Sequence, residues 1–89
     1  MPEQAAGGWT TFSCDISKEA LEVFKSVQLP FGKTYTPVAV ATQVVSGTNY
    51  DFFCNTKVAG QGKFNEIAMV SIYEPVSGEP EVTVKHLEH

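Results

Sequence analysis

The sequence contains no arginine, and its six basic residues are all lysines that do not cluster. A nucleic-acid surface needs a concentrated basic patch, so no nucleic-acid partner is expected. Ten acidic residues give a formal net charge of -4, and setting aside Glu88 alone leaves one negative charge fewer. That balance favours solubility and indicates little more. No apolar run approaches the roughly 20 residues that cross a bilayer, so no membrane partner is expected. Met1–Gly8 lacks the charged start and apolar centre of a secretory signal. The chain therefore reads as soluble, either cytoplasmic or secreted with its signal removed. Histidine is nearly absent: His86 and His89 are the only two. The two cysteines, Cys14 and Cys54, fit no zinc-ligand spacing, and neither a metal nor a cofactor is expected. A disulfide between them cannot be deduced from sequence, and two partly buried free thiols are the simpler expectation.

What is present fits one small folded domain. The chain has 89 residues, 43% of them hydrophobic, which is ordinary for a globular protein. Residues 1–86 are read as a single domain. Leu87-Glu88-His89 resembles the remnant of a purification tag and is set aside.

Trp9–Phe12 reads as a short extended segment. Asp15 or Ser17 can cap a helix whose first turn holds Glu19. Ile16, Ala20, Val23, Phe24 and Val27 then recur at helical spacing, with Lys18, Glu19, Glu22 and Lys25 largely on the other side. Pro30 and Gly32 end the helix. From Tyr35 the period changes to two, and Val38, Val40, Thr42 and Val44 are expected on one strand face. Gly47-Thr48-Asn49 supplies turn chemistry. Tyr50, Phe52 and Cys54 alternate with Asp51, Phe53 and Asn55, as in a half-buried strand. Ile67–Tyr73 is a third long strand, Pro75–Pro80 a turn, and Val82–Lys85 the last strand. The order is β-α-β-β-β-β. One helix stripe and one set of apolar strand faces must cover each other, which gives an α+β fold with a four- to five-stranded antiparallel sheet.

Within this order, Gln43-Val44-Val45-Ser46-Gly47 resembles the Q-x-V-x-G hairpin of the cystatins, and Thr48-Asn49-Tyr50 resembles the continuation in the stefin-type branch. The element order follows the family from Gly7 to about Leu87. The resemblance implies a cystatin-like fold and reversible inhibition of papain-like cysteine proteases. Three segments would enter the protease cleft: Gly7 or Gly8 in the N-terminal trunk, the first hairpin at Gln43, Val44, Val45, Ser46 and Gly47, and the second hairpin at Pro75 and Val76. No residue would do chemistry. Val76 stands where the family usually carries a larger anchor, Ala6 or Gly7 precedes the swivel glycine, and the helix is shorter. These departures imply micromolar to nanomolar binding rather than the tightest class.

The alternative is a non-inhibitory cystatin-fold module that binds a different partner. An enzyme would need Cys14 or Cys54 as nucleophile with His86 as base, and catalysis is not expected. The open edges and the Val-rich hairpin lead to one further expectation: a monomer that forms a strand-exchanged dimer at high concentration.

Overall fold

The structure, a computed structural model, describes residues 8–58 and 66–87. Helix α1 spans Lys18–Ser26, and four strands follow: β1 Lys33–Val45, β2 Gly47–Val58, β3 Glu66–Glu74 and β4 Glu81–Leu87. The strands form one antiparallel sheet in the order β1-β2-β3-β4. The architecture is therefore α+β, with the helix over one sheet face.

Of the two candidate caps, Ser17 is the one used. Its backbone is extended and its Oγ accepts a hydrogen bond from the Ala20 N–H at 3.1 Å. Glu19 lies in the first turn and Lys25 in the last, each with the sign that the helix dipole favours. Ala20 and Phe24 are the buried residues of the stripe. Ile16 and Val27 flank the helix and, with Val23, pack on the rim of the core.

Rows of paired residues build the sheet's half of that core. Val40, Phe52, Val70 and Val84 lie side by side across all four strands. Thr42, Tyr50, Ile72 and Val82 form the next row. Phe52 is fully buried at the centre. Its ring meets Phe24 edge-on at 4.9 Å and stacks on Tyr50 at 5.9 Å. These aromatic contacts add to the stabilisation from area burial. Beyond the helix, the Tyr35 hydroxyl and His86 Nε2 lie 2.9 Å apart, linking the start of β1 to the end of β4.

The structure corrects several expectations. Trp9–Phe12 is not a strand of the sheet. Its backbone pairs with β1 only at an isolated bridge, Trp9 to Gln43, followed by a second just beyond it, Ser13 to Val40, so the sheet has four strands. The two bridges fall in different registers, four residues of the segment against three of β1, so the pairing breaks between them. Val38 does not share the face of Val40, Thr42 and Val44. A register shift between Pro37 and Ala39 makes Val38 the extra residue of a bulge, placed where Pro37 cannot donate to the ladder. Thr48 and Asn49 belong to β2, and the turn between β1 and β2 is Ser46 alone. Cys14 is exposed rather than partly buried, while Cys54 is buried. Leu87 pairs with Ile67 as the last residue of β4. Glu88 and His89 lie outside the described residues. Among those described, no helix is long and apolar enough to cross a membrane.

Burial sets the two cysteines apart. Cys54 Sγ–H donates to the Phe52 carbonyl at 3.6 Å, and burial pushes its pKa from 9.0 up to about 12. A neutral thiol is thus favoured in the folded state. That stabilisation is complete below about pH 9 and is lost as pH rises toward 12. At pH 8 a disulfide reagent should titrate one thiol per native chain, Cys14, and both in denaturant. Fast reaction of both thiols in the native state would contradict the buried placement of Cys54.

Candidate functional site

Three segments meet at one end of the sheet. The first is the β1–β2 hairpin. Val45 pairs directly with Gly47, leaving Ser46 alone at the tip. Gly47 takes φ +107°, where a side chain is strained. Space is also closed there: a Cβ on Gly47 would fall 2.5 Å from the Glu74 carbonyl oxygen and 3.0 Å from Pro75 Cα. The backbone of the first hairpin thus packs directly on the start of the second.

Two side-chain contacts hold this tip. The Tyr73 hydroxyl donates to the Ser46 carbonyl, tying the first tip to β3. Asn49 Nδ2 donates to Gln43 Oε1 at 2.7 Å, across the hairpin. Gln43 is therefore part of the hairpin's own framework as well as a residue of its surface. Tyr50, one row further in, has its pKa raised, first by burial and then by the charges of Glu19 and Glu74.

The second hairpin, 75–80, joins β3 to β4. Gly78 turns it at φ +106°, but here a Cβ would meet only Pro75 Cγ at 3.9 Å. Val76 is 82% exposed at its tip.

The third segment is the N-terminal approach. Trp9 bridges to Gln43, and the Thr10 N–H donates to the Thr42 carbonyl at 2.9 Å. Thr42 N–H returns a bond to Thr10 Oγ1 at 2.9 Å. Ser13 and Val40 exchange two backbone hydrogen bonds, each 2.9 Å. These bonds fasten the segment along the edge of β1, with half-buried Gly8 just ahead of Trp9. Gly7 lies outside the described residues.

Gly8, Gln43–Gly47, Pro75 and Val76 are thus brought to one end of the molecule. Trp9, Val44 and Val45 are each between 42% and 49% exposed there. With Val76 they are the exposed apolar side chains of this end, an apolar rim beside a hydrogen-bonded frame. Behind the rim, a cleft of about 600 Å³ opens between the N-terminal segment, the start of α1 and the first hairpin. Thr10, Ser13, Ser17, Thr42, Thr48 and Tyr50 give it a hydroxyl-rich lining. His86 sits beside Tyr35 at the other end of the sheet. Among the described residues, no group of three or more histidine, cysteine or acidic side chains could hold a metal ion.

The sequence reading missed three residues of this end: Trp9 as an exposed neighbour of Gln43, Asn49 as the partner of the Gln43 amide, and Tyr73 as the tie to Ser46. A one-residue turn at Ser46 would have placed Asn49 opposite Gln43, so the Asn49 contact follows once the turn is known. Tyr73 requires the β2–β3 register, which no local pattern supplies.

No family model matches the chain, and neither a curated protein nor a solved structure matches it.

Proposed function

We propose that the chain is a cystatin-like reversible inhibitor of papain-like cysteine proteases. The observation that carries this reading is the meeting of Gly8-Trp9, Gln43–Gly47 and Pro75-Val76 at one end of the sheet. The Gln43–Gly47 sequence supplies the family resemblance, and its packing supplies a physical reason for it to work. Both hairpin tips hang from a four-stranded sheet and press on each other at Gly47 and Pro75, so little backbone ordering remains to be done on binding. Val44, Val45 and Val76 would contribute apolar area. Trp9 would add a large aromatic anchor beside Gln43, offsetting the small side chain of the second hairpin. A wedge of this kind would bury on the order of 1,600 Å² in total. It would deny substrate access to the catalytic thiol without offering a peptide carbonyl for attack, so the inhibitor would leave intact.

The test is a titration of papain with the purified protein, using a fluorogenic peptide substrate at several concentrations. Competitive inhibition at micromolar or lower concentration is expected. Full papain activity at tens of micromolar protein would overturn the inhibitor reading and leave a binding module with some other partner.

A further inference from the structure

The two lateral edges of the sheet are treated differently. The edge of β1 is occupied by the N-terminal segment over positions 40–43, through the bonds of Thr10 and Ser13 to Thr42 and Val40. The edge of β4 is open: among the described residues, β4 makes backbone pairs only with β3. Its seven residues run in unbroken register, without a proline, a glycine or a bulge. Those are the usual devices that prevent an edge from pairing. The remaining device is charge, and here the charges are arranged with a particular symmetry.

Glu81, Thr83 and Lys85 lie on the sheet face away from the helix and are exposed. Val82 and Val84 lie on the core face and are half-buried. If a second β4 is laid antiparallel about Thr83, each Glu81 falls opposite the other chain's Lys85. Each Val82 then falls opposite Val84, and Thr83 opposite itself. Cross-strand pairs of opposite charge are favourable, as are pairs of β-branched residues. A shift of the centre to Val84 would set Thr83 against Lys85 and Glu81 against Leu87, losing both ion pairs. One two-fold register is therefore selected by charge and by apolar face together. Lys85 would repel a foreign strand with a basic residue at that position, yet it attracts a copy of its own.

We propose that β4 is a self-association edge, through which two copies join about Thr83 into one continuous eight-stranded antiparallel sheet. The interface is isologous, as a two-fold requires. It lies along the side of the sheet, so the hairpin tips remain uncovered and point in opposite directions in the two copies. A strand pairing of this length is smaller than a standard interface, and the dimer is accordingly concentration-dependent.

Sedimentation velocity over a concentration series tests it without any protease. The wild-type chain should move from monomer to dimer as concentration rises. Lys85→Glu and Glu81→Lys should each remain monomeric at concentrations where the wild type is dimeric, because each sets like charges opposite one another twice. The double variant, E81K with K85E, should recover the dimer. All four positions of charge are on exposed side chains, and circular dichroism checks that each variant is folded. A wild type that is monomeric throughout would overturn the proposal. So would a dimer that persists unchanged in both single variants, as a strand-exchanged dimer through the first hairpin would.

Discussion

Gly47→Ala should destabilise the fold by about 3 kcal/mol, a fall in Tm on the order of 15 °C for a domain of this size. Two costs combine there. The backbone stands at φ +107°, which an L side chain rarely adopts, and the new methyl would be driven to 2.5 Å from the Glu74 carbonyl oxygen. That oxygen belongs to the backbone of β3 and cannot swing aside, so the two hairpins must separate. Gly78→Ala is the control that divides these costs. Its φ of +106° is almost the same, but the nearest atom to its Cβ is Pro75 Cγ at 3.9 Å. Only the backbone term remains, about 1 kcal/mol. Thermal melts of the two variants measure the difference. Equal losses at the two glycines would show that the hairpins do not pack on each other at Gly47.

Phe52→Ala should cost about 3–5 kcal/mol, the range for emptying a fully buried aromatic site. Phe52 is 0% exposed and touches both the helix, through Phe24, and the neighbouring row, through Tyr50. Phe24 and Ala20 are the buried residues of the helix and share one core with Phe52, so emptying this site removes packing from both layers. A small single-core domain has little stability in reserve, so the variant should be largely unfolded at physiological temperature. Phe53→Ala, one residue on, changes a half-buried ring on the opposite face of β2 and should cost markedly less. Denaturant unfolding of the pair checks both values. Equal losses would contradict the assignment of the two faces.

The Phe52–Phe53 contrast also marks what could be read from sequence. Alternation in Tyr50, Phe52 and Cys54 identifies the core face of β2 because that strand is regular from end to end. The same argument fails in β1. One extra residue at Val38 moves every earlier side chain to the other face, so Tyr35 and Pro37 face the core ahead of Val40. Pro37 was the local sign of this break, since a proline has no N–H for the ladder and within sheets is confined to edges and bulges. Helix α1 was legible because its stripe and its Ser17 cap are local features. Trp9–Phe12 was misread as a strand because its composition favours extension, whereas continuous pairing needs one register and its two bridges to β1 fall in different ones.

At the candidate site, the hairpin residues were legible from their resemblance to a family pattern. Their mutual contacts were not. Gly47 against Pro75, Tyr73 on Ser46 and Trp9 beside Gln43 all join positions far apart in the chain. Such contacts follow from register, and in the first hairpin the register follows from a turn of one residue, Ser46. A turn placed at Gly47–Asn49 instead of at Ser46 shifts every partner in the hairpin.

Inhibition of papain by the wild type and by Val45→Asp, measured side by side, bears most directly on the proposed wedge. Val45 is 42% exposed at the hairpin tip, so a carboxylate there leaves the fold intact, as circular dichroism and the melt will register. If the three-segment edge enters the protease cleft, the wild type inhibits competitively and the variant is weaker by about 100-fold, the loss expected for a charge placed at a buried anchor. Equal inhibition by the two proteins would contradict the wedge, and would place any inhibitory surface elsewhere on the molecule.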